Sequence, residues 1–184
     1  TEFLVRAGGE DWLFGKLILA CGSIAGEKNA DFGGYALAKA LGHTILKPLP
    51  ALVQLRCAGS FWKGLAGVRC DARIQLLISG RGTKESYEEQ GELQLTDYGI
   101  SGIPVFQLSR FAAAALDAGR QVKASIDFLP GFRDNEALWQ ELVEEKCTSC
   151  RQRSMEVLFG GLVNKKIIQT AVKLCGLSMG DRAE

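Results

Sequence analysis

The sequence predicts an α+β protein, with a one-sided antiparallel sheet in the middle of the chain and a helical stretch after it. Three observations predict this. Val68, Cys70, Ala72, Ile74, Leu76 and Ile78 are apolar, while Arg69, Asp71, Arg73, Gln75 and Ser79 between them are polar, so successive side chains address core and water in turn. The same period of two recurs over Ala51–Cys57, at Leu93 and Leu95, and over Val122–Phe128. After Pro130 the apolar spacing changes to that of helices. One-sided strands favour antiparallel pairing, and their apolar face has to be closed into a small barrel or roofed by helices.

Taken in order, Phe3–Val5, Gly8-Gly9 and Leu17–Ala20 read as a hairpin whose second strand runs straight into Cys21-Gly22-Ser23. Small residues at the end of a strand let a ligand or another backbone come close. Asp31-Phe32-Gly33-Gly34-Tyr35 opens a helix that Gly42 is placed to stop, and the free N–H groups of a helix start suit an anionic group. The stretch Ser79–Gln90, rich in Gly, Ser, Glu and Lys, reads as an exposed hairpin loop or a strand edge. Pro104–Ala118 reads as a mostly buried helix with Pro104 in its first turn and Ser101 as its N-cap. Farther on, Leu138, Trp139, Leu142 and Val143 form one helical face, and Ile167, Ile168, Ala171, Val172 and Cys175 another, so two or three short helices are expected to pack together.

Composition narrows the function classes. The 184 residues carry 22 Lys and Arg against 21 Asp and Glu, a net charge of +1 that argues against a nucleic-acid partner. No apolar run reaches membrane-spanning length, because Lys16, Gln54 and Gln107 interrupt the best candidates. There is no secretory pattern at the N-terminus, so a cytoplasmic location, no membrane association and six reduced cysteines are expected. The chain opens on Thr1 without an initiator Met, which reads as an excised segment.

Candidate chemistry is sparse. Cys147-Thr148-Ser149-Cys150 has the spacing of a thiol redox centre or half a zinc site, yet the sole histidine, His43, lies far away in sequence, and no metal site is expected. His43 directly follows Gly42, a position where histidine commonly complements the end of a helix. Glu141, Glu144 and Glu145 read as a solvated face without the burial that tunes a carboxylate for acid–base work. Arg151 and Arg153 are too small a basic cluster to suggest nucleic acid.

Several strings occur together in one order: Leu17–Ser23, Gly34–His43, Leu49–Val53, Leu65–Val68, Gly91–Leu93, Thr96–Gly102, Leu108–Arg110, Asp127–Pro130 and Leu162–Lys166. In that order the sequence resembles the bacterial NAD(P)/FAD-dependent oxidoreductases of the aminoacetone oxidase, or bile-acid-inducible, flavoprotein type. The resemblance implies a FAD-binding domain built from both ends of a longer chain, with a β-barrel and a helical subdomain inserted between them. This sequence resembles the insert with a short lead-in. Residues 1–43 would be a hairpin and helix of the FAD-binding domain, 44–130 the small antiparallel β-barrel with one buried helix, and 131–184 the appended helical subdomain.

The same resemblance implies which residues meet the cofactor. The family's flavin-contacting Ala-Thr-Gly-Gly segment falls on Ala20, Cys21, Gly22 and Ser23, where Cys21 and Ser23 depart from the pattern. In the glycine-rich loop that follows, Asp31, Gly34 and Tyr35 match, and Phe32 stands where glycine is usual. The insert would cover the flavin and line the substrate pocket, with Tyr98, Gly99, Ile100, Ser101 and Gly102 as the expected lining. FAD is then the cofactor of the parent protein, NAD(P)H a possible co-substrate, a small organic molecule the substrate, and the FAD-binding domain of the same parent chain the partner. No Gly-x-Gly-x-x-Gly turn occurs in the 184 residues, so this segment is expected not to hold FAD or to be active alone, and no catalytic residue is assigned in it. The rival reading is a self-standing interaction or small-molecule-binding module without redox activity.

Overall fold

The computed structural model describes residues 2–25, 33–80, 82–133 and 135–182. It divides into two compact units, 1–48 and 49–184. The first holds a hairpin, β1 (Phe3–Ala7) and β2 (Glu10–Phe14), and a helix, α1 (Gly33–Ala40). Ala7 pairs with Glu10 across Gly8-Gly9, both at positive φ, which is the two-residue turn whose twist suits a hairpin. That turn corrects the expected second strand: pairing starts at Glu10, directly after the glycines, and Leu17–Ala20 carries no strand. The helix ends as expected at Gly42, whose N–H donates to the Lys39 carbonyl while the backbone N–H of His43 donates to that of Ala38. None of the described residues of this unit is buried, and Trp12, Leu13, Phe14 and Ile18 are exposed.

The second unit is built on five antiparallel strands. They are β3 (Leu55–Arg56), β4 (Arg69–Gly80), β5 (Thr83–Leu95), β6 (Gly99–Ser101) and β7 (Gln121–Asp127), in the order β3-β6-β5-β4-β7. The sheet curls as an open half-barrel. The long alternating strand behaves as the sequence predicts: Ala72, Ile74, Leu76 and Ile78 are inside, at 0–2% exposure. The apolar face is roofed by α3 (Ile103–Asp117), which buries Val105, Leu108, Ala112 and Ala115. Burying Val105 and Leu108 contributes about 1.5–3 kcal/mol each, and the two alanines less. A short helix, α2 (Trp62–Leu65), adds Trp62 and Leu65 to the same core.

Of the two readings of Ser79–Gln90 the strand edge holds and the loop does not, since β4 and β5 pair out to Gly80 and Thr83 while β6 reaches only Gln94 and Leu95 of β5. The sequence leaves the two open because the inward positions are not aliphatic there. Tyr87 stacks on Phe111 at 3.8 Å, and Glu85 accepts from the Arg120 guanidinium at 2.6 Å. Arg120 and the Tyr87 hydroxyl hold the Glu85 carboxyl below the usual carboxylate range. In the Ala51–Cys57 stretch only Leu55 and Arg56 join the sheet, extended by the Cys57 N–H to the Tyr98 carbonyl.

After a 3₁₀ turn at Pro130–Phe132 come α4 (Glu136–Ser149), α5 (Met155–Leu158) and α6 (Lys165–Leu174). Asn135 and Asn164 cap α4 and α6 with their side-chain carbonyls. Ile167 of α6 joins the barrel core. The expected apolar face of α4 is not buried: Leu138, Trp139 and Val143 are exposed, and Trp139 makes an edge contact with Phe132. No helix among the described residues is long and apolar enough to cross a membrane.

Two glycines let β6 fit its place. A Cβ on Gly99 would lie 2.2 Å from the Leu55 carbonyl oxygen, and one on Gly102 would lie 2.3 Å from that of Glu92, both at positive φ. Gly99→Ala is therefore expected to destabilise the protein by at least about 2 kcal/mol. Gly131→Ala, with open space around the added methyl, is expected to shift the urea midpoint little. Equal midpoints for the two variants would refute the close approach.

Candidate functional site

The two ends of the curled sheet are β3 and β7, and no strand among the described residues bridges them. Between them lies a cleft of about 440 Å³. Its floor is Leu76 of β4 and Ala112 of α3; Leu55 and Cys57 form one wall, and Val122, Ala124 and Ile126 of β7 the other. These β7 side chains point to the concave face by the same alternation that buries Ile74 and Leu76, but at the edge Ala124 remains exposed. Phe61 and Trp62 close one end, their rings 4.7 Å apart, and the Trp62 indole N–H is fixed to the Ala58 carbonyl at 3.0 Å. A second hollow of about 250 Å³ shares Phe61, Trp62, Ala124 and Ile126 and runs on to Ala171 and Leu174 of α6.

Arg56 and Lys123 are the charged residues of the cleft lining, and among the described residues no carboxylate lines it. The Arg56 guanidinium lies 5.2 Å from the centre of the Tyr98 ring. Burial pushes the Cys57 thiol up, against the opposing effect of the Ile100 backbone, so it stays a thiol near neutral pH. Burial, with Asp71 close by, does the same at Cys70.

The residues expected to line a pocket at 98–102 lie in and beside β6. Tyr98 is half-buried, with the Arg56 guanidinium over its ring; Gly99, Ile100 and Ser101 are buried. The N-cap of α3 is Gly102 and not Ser101, because the chain is still paired with β5 at Ser101 and turns into the helix one residue later. In the first unit Ala20, Cys21, Gly22 and Ser23 form an exposed stretch in which the Ser23 hydroxyl accepts the Ala25 N–H. The structure brings part of this stretch to the helix start, since a Cβ on Gly34 would lie 3.0 Å from the Cys21 sulfur. Tyr35 is half-buried on the first turn, and Asp31 lies outside the described residues.

Cys147 is exposed and Cys150 buried, and no group of three or more His, Cys, Asp or Glu among the described residues is placed to hold a metal. The seam cleft itself was not foreseen. Arg56 and Lys123 are 67 positions apart by number and line one cleft only through the strand order; each alternates with inward apolar residues, so the period of two does not mark it for the cleft.

Comparison with known proteins places this fold. The family profile described as "HI0933-like protein barrel and H2TH domain" matches residues 49–183. A relative from Clostridium scindens named 3-dehydro-bile acid delta(4,6)-reductase is 37% identical over 173 residues, covering 94% of this chain and 41% of the relative. The chain thus spans less than half the length of that relative.

The thiols supply a check on the cleft wall. Cys57 and Cys70 hold their protons longer in the folded than in the unfolded chain, so unfolding releases protons as pH rises past the ordinary thiol range, and stability is expected to fall there. With iodoacetamide at pH 8, exposed Cys147 and Cys175 are expected to label well before Cys57, read by peptide mass spectrometry. Labelling of Cys57 as fast as Cys175 would contradict its place in the wall.

Proposed function

Since the chain belongs to the HI0933-like family, we propose that it is the substrate-covering part of a FAD-dependent oxidoreductase. The observation that carries the reading is the contrast between the two units. Residues 49–184 have a complete core and a preformed apolar cleft, whereas the first unit leaves its tryptophan and leucines exposed and buries nothing among its described residues. Such a unit reads as a piece of a larger domain, the FAD-binding domain of the same parent protein.

Toward a flavin the first unit offers one edge. The stretch Ala20–Ser23 touches the start of α1 at Gly34, and with Tyr35 and Asp31 it would meet the cofactor, while the sequence contains no Gly-x-Gly-x-x-Gly turn for the pyrophosphate. The residues present do not make a complete FAD site, and the segment alone is inactive. A bound flavin supplies the hydride chemistry, with NAD(P)H as co-substrate. The second unit's task is to exclude water and to hold a small organic substrate, which the seam cleft is shaped to do. The relative named as a bile acid reductase supports a substrate with a large apolar body.

One observation favours a second reading, a binding module without redox activity: the cleft is lined entirely by residues between Leu55 and Ile126. A spectrum of the purified parent protein separates the two. Stoichiometric flavin absorbance is expected for the parent, with none for the 184-residue chain; a colourless parent would overturn the flavoprotein reading and leave the binding module.

A further inference from the structure

The seam cleft does not end in a wall of sheet. At one end it meets the hollow of about 250 Å³, and the two have Phe61, Trp62, Ala124 and Ile126 in common. On the β7 side of that junction Ala124 contributes only a methyl group, at an exposed position. On the other side stand two rings, their centres 4.7 Å apart. The hollow beyond them is apolar in effect, because the hydroxyl in its lining, on Thr170, already donates to the Lys166 carbonyl at 2.9 Å.

Of the two rings one is fixed. Trp62 is buried in the same core cluster as Leu65 and Ile167, and its indole N–H donates to the Ala58 carbonyl at 3.0 Å. Removing it would empty the core and strip that carbonyl of its donor. Phe61 is only half-buried, and its phenyl ring has no polar atom to tether it. The ring occupies space that a side chain at residue 59 would need: a Cβ on Gly59, which is at positive φ, would lie 2.6 Å from it. The glycine thus leaves the phenyl its place at the junction. An apolar ligand gains affinity with every methylene it removes from water and stops gaining where it meets a barrier. Between the cleft and the hollow, the barrier that can be taken away without dismantling the core is Phe61.

We propose that Phe61 is a specificity-determining residue of the seam cleft, its phenyl ring setting the length of the apolar body that the cleft accepts by closing off the second hollow. The proposal rests on reading the cleft as the substrate wall, and it adds the residue that limits length and the space a longer body would enter. From Val122 to Ile126 the β7 wall is about 13 Å long at the rise of a strand, so the limit falls within the reach of short alkyl chains. Truncating Phe61 joins the two hollows and moves the limit outward.

The test uses the 184-residue chain, without flavin, and the uncharged straight-chain primary alcohols from hexanol to dodecanol, each below its solubility limit. In calorimetric titration of the unaltered chain, affinity is expected to rise about three- to fourfold with each added methylene and then to level off within the series. In Phe61→Ala the rise is expected to continue to longer alcohols, so that dodecanol binds about tenfold more tightly than to the unaltered chain. Phe61→Leu, which keeps an aliphatic side chain against the core, is expected to shift the levelling-off in the same direction by less, and it carries the test should the alanine variant fail to fold. Ala171 is exposed on α6 and lines the second hollow but not the cleft. Adding Ala171→Trp to Phe61→Ala is therefore expected to return the limit to its original length. In every variant bound alcohol is expected to shield Cys57, which lines only the cleft, from iodoacetamide.

A core that is merely loosened would weaken every alcohol by one factor and leave the levelling-off where it was; that result overturns Phe61 as the limit and leaves the cleft reading standing. A longer limit that survives Ala171→Trp overturns the second hollow as the space gained. Saturable binding that leaves Cys57 unshielded, or no binding of any alcohol, overturns the cleft as the substrate wall and the proposal with it. None of these outcomes depends on the flavin spectrum of the parent, so a colourless parent whose length limit moves with Phe61 rejects only the redox reading.

Discussion

The second unit depends on how closely β6 can be squeezed between its neighbours. Ile100 is paired on both sides, with Leu55 of β3 and Leu95 of β5, and is completely buried. Gly99 before it and Gly102 two residues after it have no room for a side chain: the Leu55 and Glu92 carbonyls occupy the space that a Cβ there would take. A strand of three residues thus sets where the sheet turns, where α3 begins, and how far β3 stands from β7. With a wider β6 the roof helix would lift from Leu76 and Leu93, and the seam would no longer be a cleft of molecular size.

From that constraint the rest follows in order. α3 starts at once after Gly102 and lies along the concave face, its small residues Ala112 and Ala115 allowing close contact with the strands. It covers Ala72–Ile78 of β4 and Leu93 and Leu95 of β5 but leaves the inner face of β7 partly bare, which is why Ala124 is exposed although it points the same way as the buried Leu76 with which it is paired. The open wall of the cleft is therefore a consequence of roofing a five-stranded curled sheet with one fifteen-residue helix.

Much of this architecture was legible in the residues, for definite reasons. The alternation through Val68–Ile78 and the apolar run of Pro104–Ala118 are governed by local periodicity, and both elements formed where expected. Legibility failed where tertiary geometry overrides period. Leu17–Ala20 has strand-like composition, but the Gly8-Gly9 turn commits the hairpin to residues ten to fourteen. The end of the long hairpin reads as either loop or strand edge because Tyr87 and Glu85 fill inward positions through stacking and an ion pair. Ser101 has the chemistry of an N-cap, but it lies within the ladder and Gly102 takes the cap. The collinear motifs that marked the oxidoreductase family agree with both the family profile and the bacterial relative. The cleft was invisible because its walls are distant in sequence and only the β3-β6-β5-β4-β7 order brings them together.

The distribution of charge is the last piece that the fold explains. A lysine on an edge strand blunts strand-to-strand association, and that alone would account for Lys123. It does not account for Arg56, which lies across the seam on a strand of two residues, too short to template pairing. Exposed ion pairs add little to stability, so the glutamates around Arg69, Arg73, Arg120 and Arg133 matter chiefly because they neutralise the outer surface. Arg56, like Arg110, is instead set against an aromatic ring, its guanidinium 5.2 Å from the centre of Tyr98.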